Sequence, residues 1–372
     1  YCTMRHRELS RFLALVVALT TPLVAPLHAQ SFSARTATLV WQVDGAESGE
    51  PFGDLRDFVL LPNGHVWALD FKDQVIRRFD DAGRSLPTVG RKGSGPGELR
   101  NANGLAVAPD GTVWANDPAN SRFTIRSGSG AYQRALTVPI SGYGYRWGAW
   151  FDRSGELVEL AIAREAKYRR ITQAGAVAGS LEYPECPSGA APPLVFRAET
   201  PGEGATTGSY PFTTGGGVVA DRRGHFWCAA ARGTRVARLA YGKRDTLART
   251  AIEFPALTVS AAEREETIRQ VETRLAKYST STFDRSKVPT TRSGIAALFV
   301  DLDGRLWVAH TRAESATSSA FTVFDERGAV LFRVTFPARV NSNLPLLARG
   351  DDVIVAATDA DDVVSLRKYR IR

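Results

Sequence analysis

The sequence predicts an all-β chain, a six-bladed β-propeller of four-stranded antiparallel blades with one helical insertion. Three observations carry this expectation. A short pattern, apolar-apolar-x-Asp/Asn-Gly-x-apolar-Trp-Ala, recurs along the chain. Its copies are commonly about 45 residues apart, and further strand-like runs follow each one. The clearest copies span 60–68 and 107–115, two more span 220–227 and 300–307, and weaker ones centre on Gly155 and Gly350. Each reads as strand, tight turn, strand, because Asn-Gly and Asp-Gly supply the positive φ angles that two-residue hairpins need.

The turn glycines Gly64, Gly111, Gly155, Gly224, Gly304 and Gly350 are separated by 47, 44, 69, 80 and 46 residues. The short intervals suit one four-stranded blade, and the two long ones then contain insertions, at about 185–214 and 256–293. Within the first unit the outer strands are 75–79 and 85–89; the equivalents are 123–125 with 135–138, and 321–324 with 331–336. Trp67, Trp114, Trp227 and Trp307 recur at one position and are expected to pack between blades. The last unit lacks a fourth strand. The segment 38–43 supplies one, closing the ring without an orphan edge.

Arg5, Arg7 and Arg11 precede the apolar run 12–19, and small residues follow up to Ala29. This layout predicts a signal peptide over 1–29, with residues 1–3, ahead of Met4, as upstream or non-native sequence. Residues 30–372 then form a single propeller in the periplasm or outside the cell. The apolar run is too short to span a bilayer, and no other segment suggests a membrane span. The formal net charge of +8 is scattered rather than clustered, which argues against nucleic acid as a partner. Cys186 and Cys228 could pair in an oxidising compartment; a buried free thiol and a loop thiol are the alternatives.

The Gly-rich run from Val89 to Asn101 leads into Gly104-Leu105-Ala106-Val107 and then Asp110-Gly111-Thr112-Val113-Trp114. Asp117, Asn120 and Arg122 follow. Over 89–127 this arrangement resembles the NHL repeat. The resemblance implies the six-bladed fold. It implies no single activity, because propellers with this repeat include scaffolds, peptide or nucleic-acid binders, and lyases.

In an antiparallel four-stranded blade, the connection from one blade to the next shares a face with the turn between the second and third strands. Both insertions and the loop 91–100 are such connections, so they are expected to crowd one mouth of the central channel. Asp70, Asp117 and His310 end second strands there. Asp57, Asn101, Asn103, Arg146, Arg292, Asn341 and Asn343 lie before or at the starts of inner strands. Asp57, Asp117 and His310 are the candidate metal ligands, suited to Ca²⁺ or Mg²⁺ polarising an ester or lactone carbonyl. Against this, the NHL pattern implies that Asp117 organises its own turn.

Glu159 replaces the small apolar residue found in the other units, so an ion pair with a nearby arginine is expected. Ser260 to Glu263 is a capping box, and Ile268, Val271, Leu275 and Tyr278 form an apolar stripe on the helix it starts. That helix packs on the rim or covers the channel. The first insertion reads as irregular loop. No nucleophile elbow, zinc-protease helix or phosphate-cradling loop is present. The expected function is therefore a monomeric binding scaffold that requires no cofactor. Its partner is a small molecule, glycan or protein at the loop-rich channel face. The alternative is a metal-dependent lyase or lactonase at the channel mouth.

Overall fold

Alternating apolar residues and regularly spaced turns pair successive strands within each four-stranded sheet of this chain. The computed structural model describes residues 32–44, 51–138, 146–162, 166–187, 194–202, 204–213, 217–221, 223–230, 233–240, 245–313 and 315–372. The predicted signal peptide lies outside them.

The first sheet is Leu55–Leu60, Val66–Asp70, Val75–Phe79 and Ser85–Val89. The second is Gly104–Val107, Val113–Asp117, Arg122–Arg126 and Tyr132–Thr137. The third is Ala149–Phe151, Leu157–Ile162, Ala166–Ile171 and Val177–Glu182. The fourth is Gly217–Ala220, His225–Ala229, Ala237–Ala240 and Thr246–Arg249. The fifth is Ile295–Val300, Leu306–His310, Ser319–Phe324 and Val330–Phe336. Each is antiparallel in sequence order. In the last group, Leu346–Arg349, Asp352–Thr358 and Val364–Ile371 pair in turn. Ala34–Val43 lies antiparallel to Val364–Ile371, with Ala37 opposite Ile371 and Val43 opposite Leu366. The start of the same strand runs parallel to Val330–Phe336, fusing the fifth and last groups into one nine-stranded sheet.

The turns differ from the two-residue form expected. At Gly64 the peptide N–H donates to Leu61 O at 3.0 Å, while the Leu61 N–H donates to His65 O at 2.9 Å. This is a three-residue connection, a type I turn followed by one left-handed residue. Only the glycine needs positive φ: +86° at Gly64, +81° at Gly111, +77° at Gly155, +84° at Gly224 and +85° at Gly304. The preceding Asn or Asp serves another purpose, as where Asn63 Oδ1 accepts from His65 N. Gly350, in the weakest copy, is the one with the two-residue connection, because Arg349 pairs directly with Asp352.

The core is partitioned between neighbouring sheets. Trp67 packs with Leu99 and Leu105, Trp114 with Phe151, Trp227 with Leu298, and Trp307 with Leu346 and Val353. Tyr168 and Phe226 join the third sheet to the fourth, and Leu366 with Phe58 joins the last group to the first. All four repeated tryptophans are at most 1% exposed, which fits packing between sheets rather than a stacking surface. Cys186 and Cys228 form a disulfide, Cα–Cα 5.5 Å, tying the segment after the third sheet to the fourth.

The first insertion is not irregular. Val195–Thr200 and Gly204–Ser209 form a hairpin, and Thr280–Ser281 from the second insertion adds to it. The alternation Val-Phe-Arg-Ala-Glu-Thr buries Phe196 and Ala198 on one face. Gly208 lies opposite Phe196, where a Cβ would come within 2.5 Å of the ring. Helix α1, Ala261–Leu275, is capped by Ser260 Oγ, which accepts from Glu263 N at 3.1 Å. The Glu263 carboxylate turns away to Arg292, so half of the expected capping box forms. Ile268 and Val271 meet Phe196, Tyr210 and Val288 in a cluster shared by both insertions. No helix among the described residues is long and apolar enough to cross a membrane.

Candidate functional site: an apolar channel with a polar end

The first strands of the five four-stranded groups and of the last group face one cavity of about 460 Å³. Leu60, Val107, Trp150, Val219, Phe299 and Leu347 line it, one from each sheet in turn. Neighbouring residues of each first strand share this wall, among them Val59 with Leu60 and Leu298 with Phe299, and the same side chains pack partly against the clusters between sheets. Asp57, Arg146, Trp147 and Gly148 lie at the N-terminal ends of the strands and make that end of the cavity polar.

Asp57 is 2% exposed. One carboxylate oxygen accepts from Leu105 N at 2.8 Å, and the other meets Arg146 Nη1 at 3.2 Å. Burial pushes its carboxyl above the usual range, and Arg146 with the Leu105 N–H partly offsets that. Gly104 is required beside it, since a Cβ there would strike the Trp147 backbone oxygen at 2.8 Å. Trp147 in turn donates through Nε1 to Glu159 Oε2 at 2.7 Å. Glu159 is 1% exposed and also accepts from Arg169, Nε at 2.9 Å, so it is the structural ion pair expected of it. One end of the channel is thus a chain of matched groups, Arg146–Asp57 and Trp147–Glu159–Arg169.

The other candidates are dispersed among local tasks. Asp70 accepts from Gly53 N at 2.8 Å and from Arg77 Nη2 at 3.2 Å. Asp117 accepts from Arg100 N at 2.7 Å, Asn120 Nδ2 at 2.8 Å and Arg122 Nε at 3.2 Å. That is the turn-organising role implied by its repeat. Burial pushes the Asp117 carboxyl up against the pull of these donors. Asn103 Oδ1 accepts from Asn116 Nδ2 at 2.9 Å, and Asn101 is exposed with φ +56°. Arg292 donates to Glu263 at 2.7 Å, and Asn341 accepts from the backbone N–H of the exposed Asn343 at 3.0 Å. His310 Nε2 lies 2.8 Å from Thr322 Oγ1, with its ring edge-on to Phe254. Burial, with Arg333 nearby, holds its imidazole below the ordinary value.

The structure does not bring Asp57, Asp117 and His310 together. Each has its own partners, and no three His, Cys, Asp or Glu side chains among the described residues are grouped to hold a metal ion. Of the ten site candidates, Asp57 and Arg146 are the two that line the channel. The sequence reading missed Trp147 and Trp150. Trp150 lies in the first strand of the third unit and Trp147 two residues before that strand, on either side of the Gly148 that the unit's apolar run contains.

No family model matches the chain, and no curated protein does. Similar solved structures include a member of the DUF4221 family from Bacteroides vulgatus, at 9% identity over 92% of this chain and 97% of that one, TM-score 0.51. Another is an exported-protein candidate from Bacteroides fragilis, at 12% identity over 94% and 98%, TM-score 0.50. A third is virginiamycin B lyase from Staphylococcus aureus, at 13% identity over 90% and 99%, TM-score 0.48. At such identities the likeness is one of fold alone. The chain has an all-β fold consistent with an NHL-like β-propeller.

Proposed function

We propose that this chain is an exported, six-bladed propeller that binds a small amphiphilic ligand in its central channel and does no chemistry on it. The observation that carries this reading is the channel wall, apolar along the first strands with Asp57 and the partly exposed Arg146 at one end. A ligand with an apolar body gains from burial against Trp150, Phe299 and Leu347. An anionic head reaches Arg146, whose side chain is 36% exposed although it already pairs with Asp57. Chemistry would need a nucleophile, a matched acid and base, or grouped metal ligands; both acids of the wall are already committed, Asp57 to Arg146 and Leu105 N, and Asp301 to Arg305 and Trp307 Nε1. Six blades are supported by core clusters that link each sheet to the next and the last to the first. In this reading Ala34–Val43 closes the ring, and the disulfide fits an oxidising compartment.

The test uses 8-anilinonaphthalene-1-sulfonate, an aromatic body with an anionic head. Its fluorescence is expected to rise saturably with one site per chain. Gly148→Trp is expected to abolish that site: Gly148 lines the channel end, and nothing lies within 4 Å of where its Cβ would stand. Non-saturable binding, or unchanged binding to a folded Gly148→Trp variant, overturns the proposal.

A further inference from the structure

A second cavity, of about 410 Å³, lies between helix α1 and the connections at the N-terminal side of the fifth sheet. One wall is the helix face with Glu263, Glu266 and Gln270; the other holds Arg292, Arg312 and Arg339. The charges of most of these groups are already matched. Arg292 pairs with Glu263 at 2.7 Å, Arg339 reaches Asp362 at 3.6 Å, and Glu266 pairs with Arg269 along the helix. Arg312 is the exception. Its Nη1 donates to Val340 O at 3.2 Å, and it has no carboxylate partner among the described residues. It is also partly buried, with Arg339 close enough to add repulsion, and both effects depress its basicity. A half-buried guanidinium beside a second one is costly unless an anion sits against it.

We propose that this cavity binds a zwitterionic ligand of the amino-acid or short-peptide class, its carboxylate on Arg312 and its ammonium toward Glu266 and Gln270. The guanidinium plane offers a carboxylate two parallel N–H bonds. Glu266, which pairs with Arg269 and accepts from Gln270 Nε2 at 3.0 Å, keeps further carboxylate lone pairs on the facing wall to receive a cationic amine. A ligand carrying one charge of each sign satisfies both walls at once, and the volume exceeds what a bare inorganic ion fills. The site is distinct from the channel. It draws on Ala296 at the start of the fifth sheet's first strand, whereas the channel begins at Leu298 on the same strand.

The experiment is titration calorimetry of the full chain with L-alanine, dialanine and trialanine, each also as its N-acetyl and its C-amide form. At least one uncapped member is expected to bind, and either cap is expected to weaken it by about tenfold or more, the scale of a lost charged hydrogen bond. Arg312→Gln is expected to remove binding and Glu266→Gln to weaken it. Gln270→Trp, at an exposed helix position, is expected to block the cavity, and it tests the site even if Arg312→Gln fails to fold. Gly148→Trp is expected to leave peptide binding unchanged, which separates this proposal from the channel reading. The inference is overturned if no uncapped member binds below about 10 mM, a free energy under roughly 3 kcal/mol. It is equally overturned if capped forms or inorganic phosphate bind as well, or if folded Gln270→Trp binds normally.

Discussion

Asp117 in the second sheet and His310 in the fifth end equivalent second strands, after the same hairpin and the same buried tryptophan, yet they do opposite things. Asp117 gathers donors. Besides Arg100 N and Asn120, it holds Arg122, which itself donates to the backbone oxygens of Gly95 and Glu98 at 2.7 and 2.9 Å. One carboxylate thereby fixes the whole Gly-rich loop, and every partner lies within one repeat unit. In the fifth sheet no such loop exists, because the preceding connection is the helical insertion. Among the described residues the His310 ring has one hydrogen-bond partner, Thr322, and the strand ends are tied by cations instead, Arg292 to Glu263 and Arg312 to Val340 O. Where the repeat is intact a carboxylate finds its partners within the unit; where it breaks, partners come from distant segments, and a cavity is left beside Arg312, which has no carboxylate partner among the described residues.

The sharpest way to break this comparison is Asp117→Ala. It removes the acceptor for Arg100 N and Asn120 and the counter-charge of Arg122, whose side chain is 15% exposed. The expected loss is about 3 kcal/mol, read as a lower urea midpoint with an unchanged slope. A loss no larger than that of His310→Ala would show that the carboxylate does not organise the loop.

Glu159→Gln sharpens the same contrast in the third sheet. There too a buried carboxylate serves an arginine, but it binds the preceding connection through Trp147 alone. The amide still accepts from Trp147, while Arg169 loses its counter-charge with its side chain 14% exposed. The expected cost is about 2 kcal/mol in the same measurement, less than for Asp117→Ala. A neutral result would mean that Arg169 is adequately served by solvent.

These contrasts also separate what could be read from the sequence from what could not. The hairpin pattern placed every second strand and the tryptophans, and the capping box placed the helix, because each depends on residues within a few positions of one another. The Asp117 network was legible for the same reason: Asp117, Asn120 and Arg122 sit within one turn. The turn type was misread, because Asn-Gly satisfies both a two-residue hairpin and a type I turn with a left-handed glycine. The hairpin at 195–209 was missed because its core partners, Ile268 and Val288, lie far along the chain and supply the burial that makes it a strand. Candidate polar residues were chosen by position alone, whereas burial and mutual pairing decide which of them remain available, and only Asp57 and Arg146 line the channel.

The smallest effect tests the other half of the comparison, that His310 is neutral filling rather than an organiser. Its folded-state value lies below the ordinary 6.5, through burial first and Arg333 second. Between the folded value and 6.5 the unfolded chain therefore binds more protons than the folded one, so stability falls as pH drops through that window and is flat above it. His310→Gln keeps a partner for Thr322 but cannot take up a proton. The difference in unfolding free energy between the two proteins is expected to be constant above pH 7. Below that it should shift in favour of the variant. A difference that stays constant from pH 7.5 down to about 5 would show that the imidazole accepts its proton in place, with Thr322 and Phe254 arranged to receive the charge.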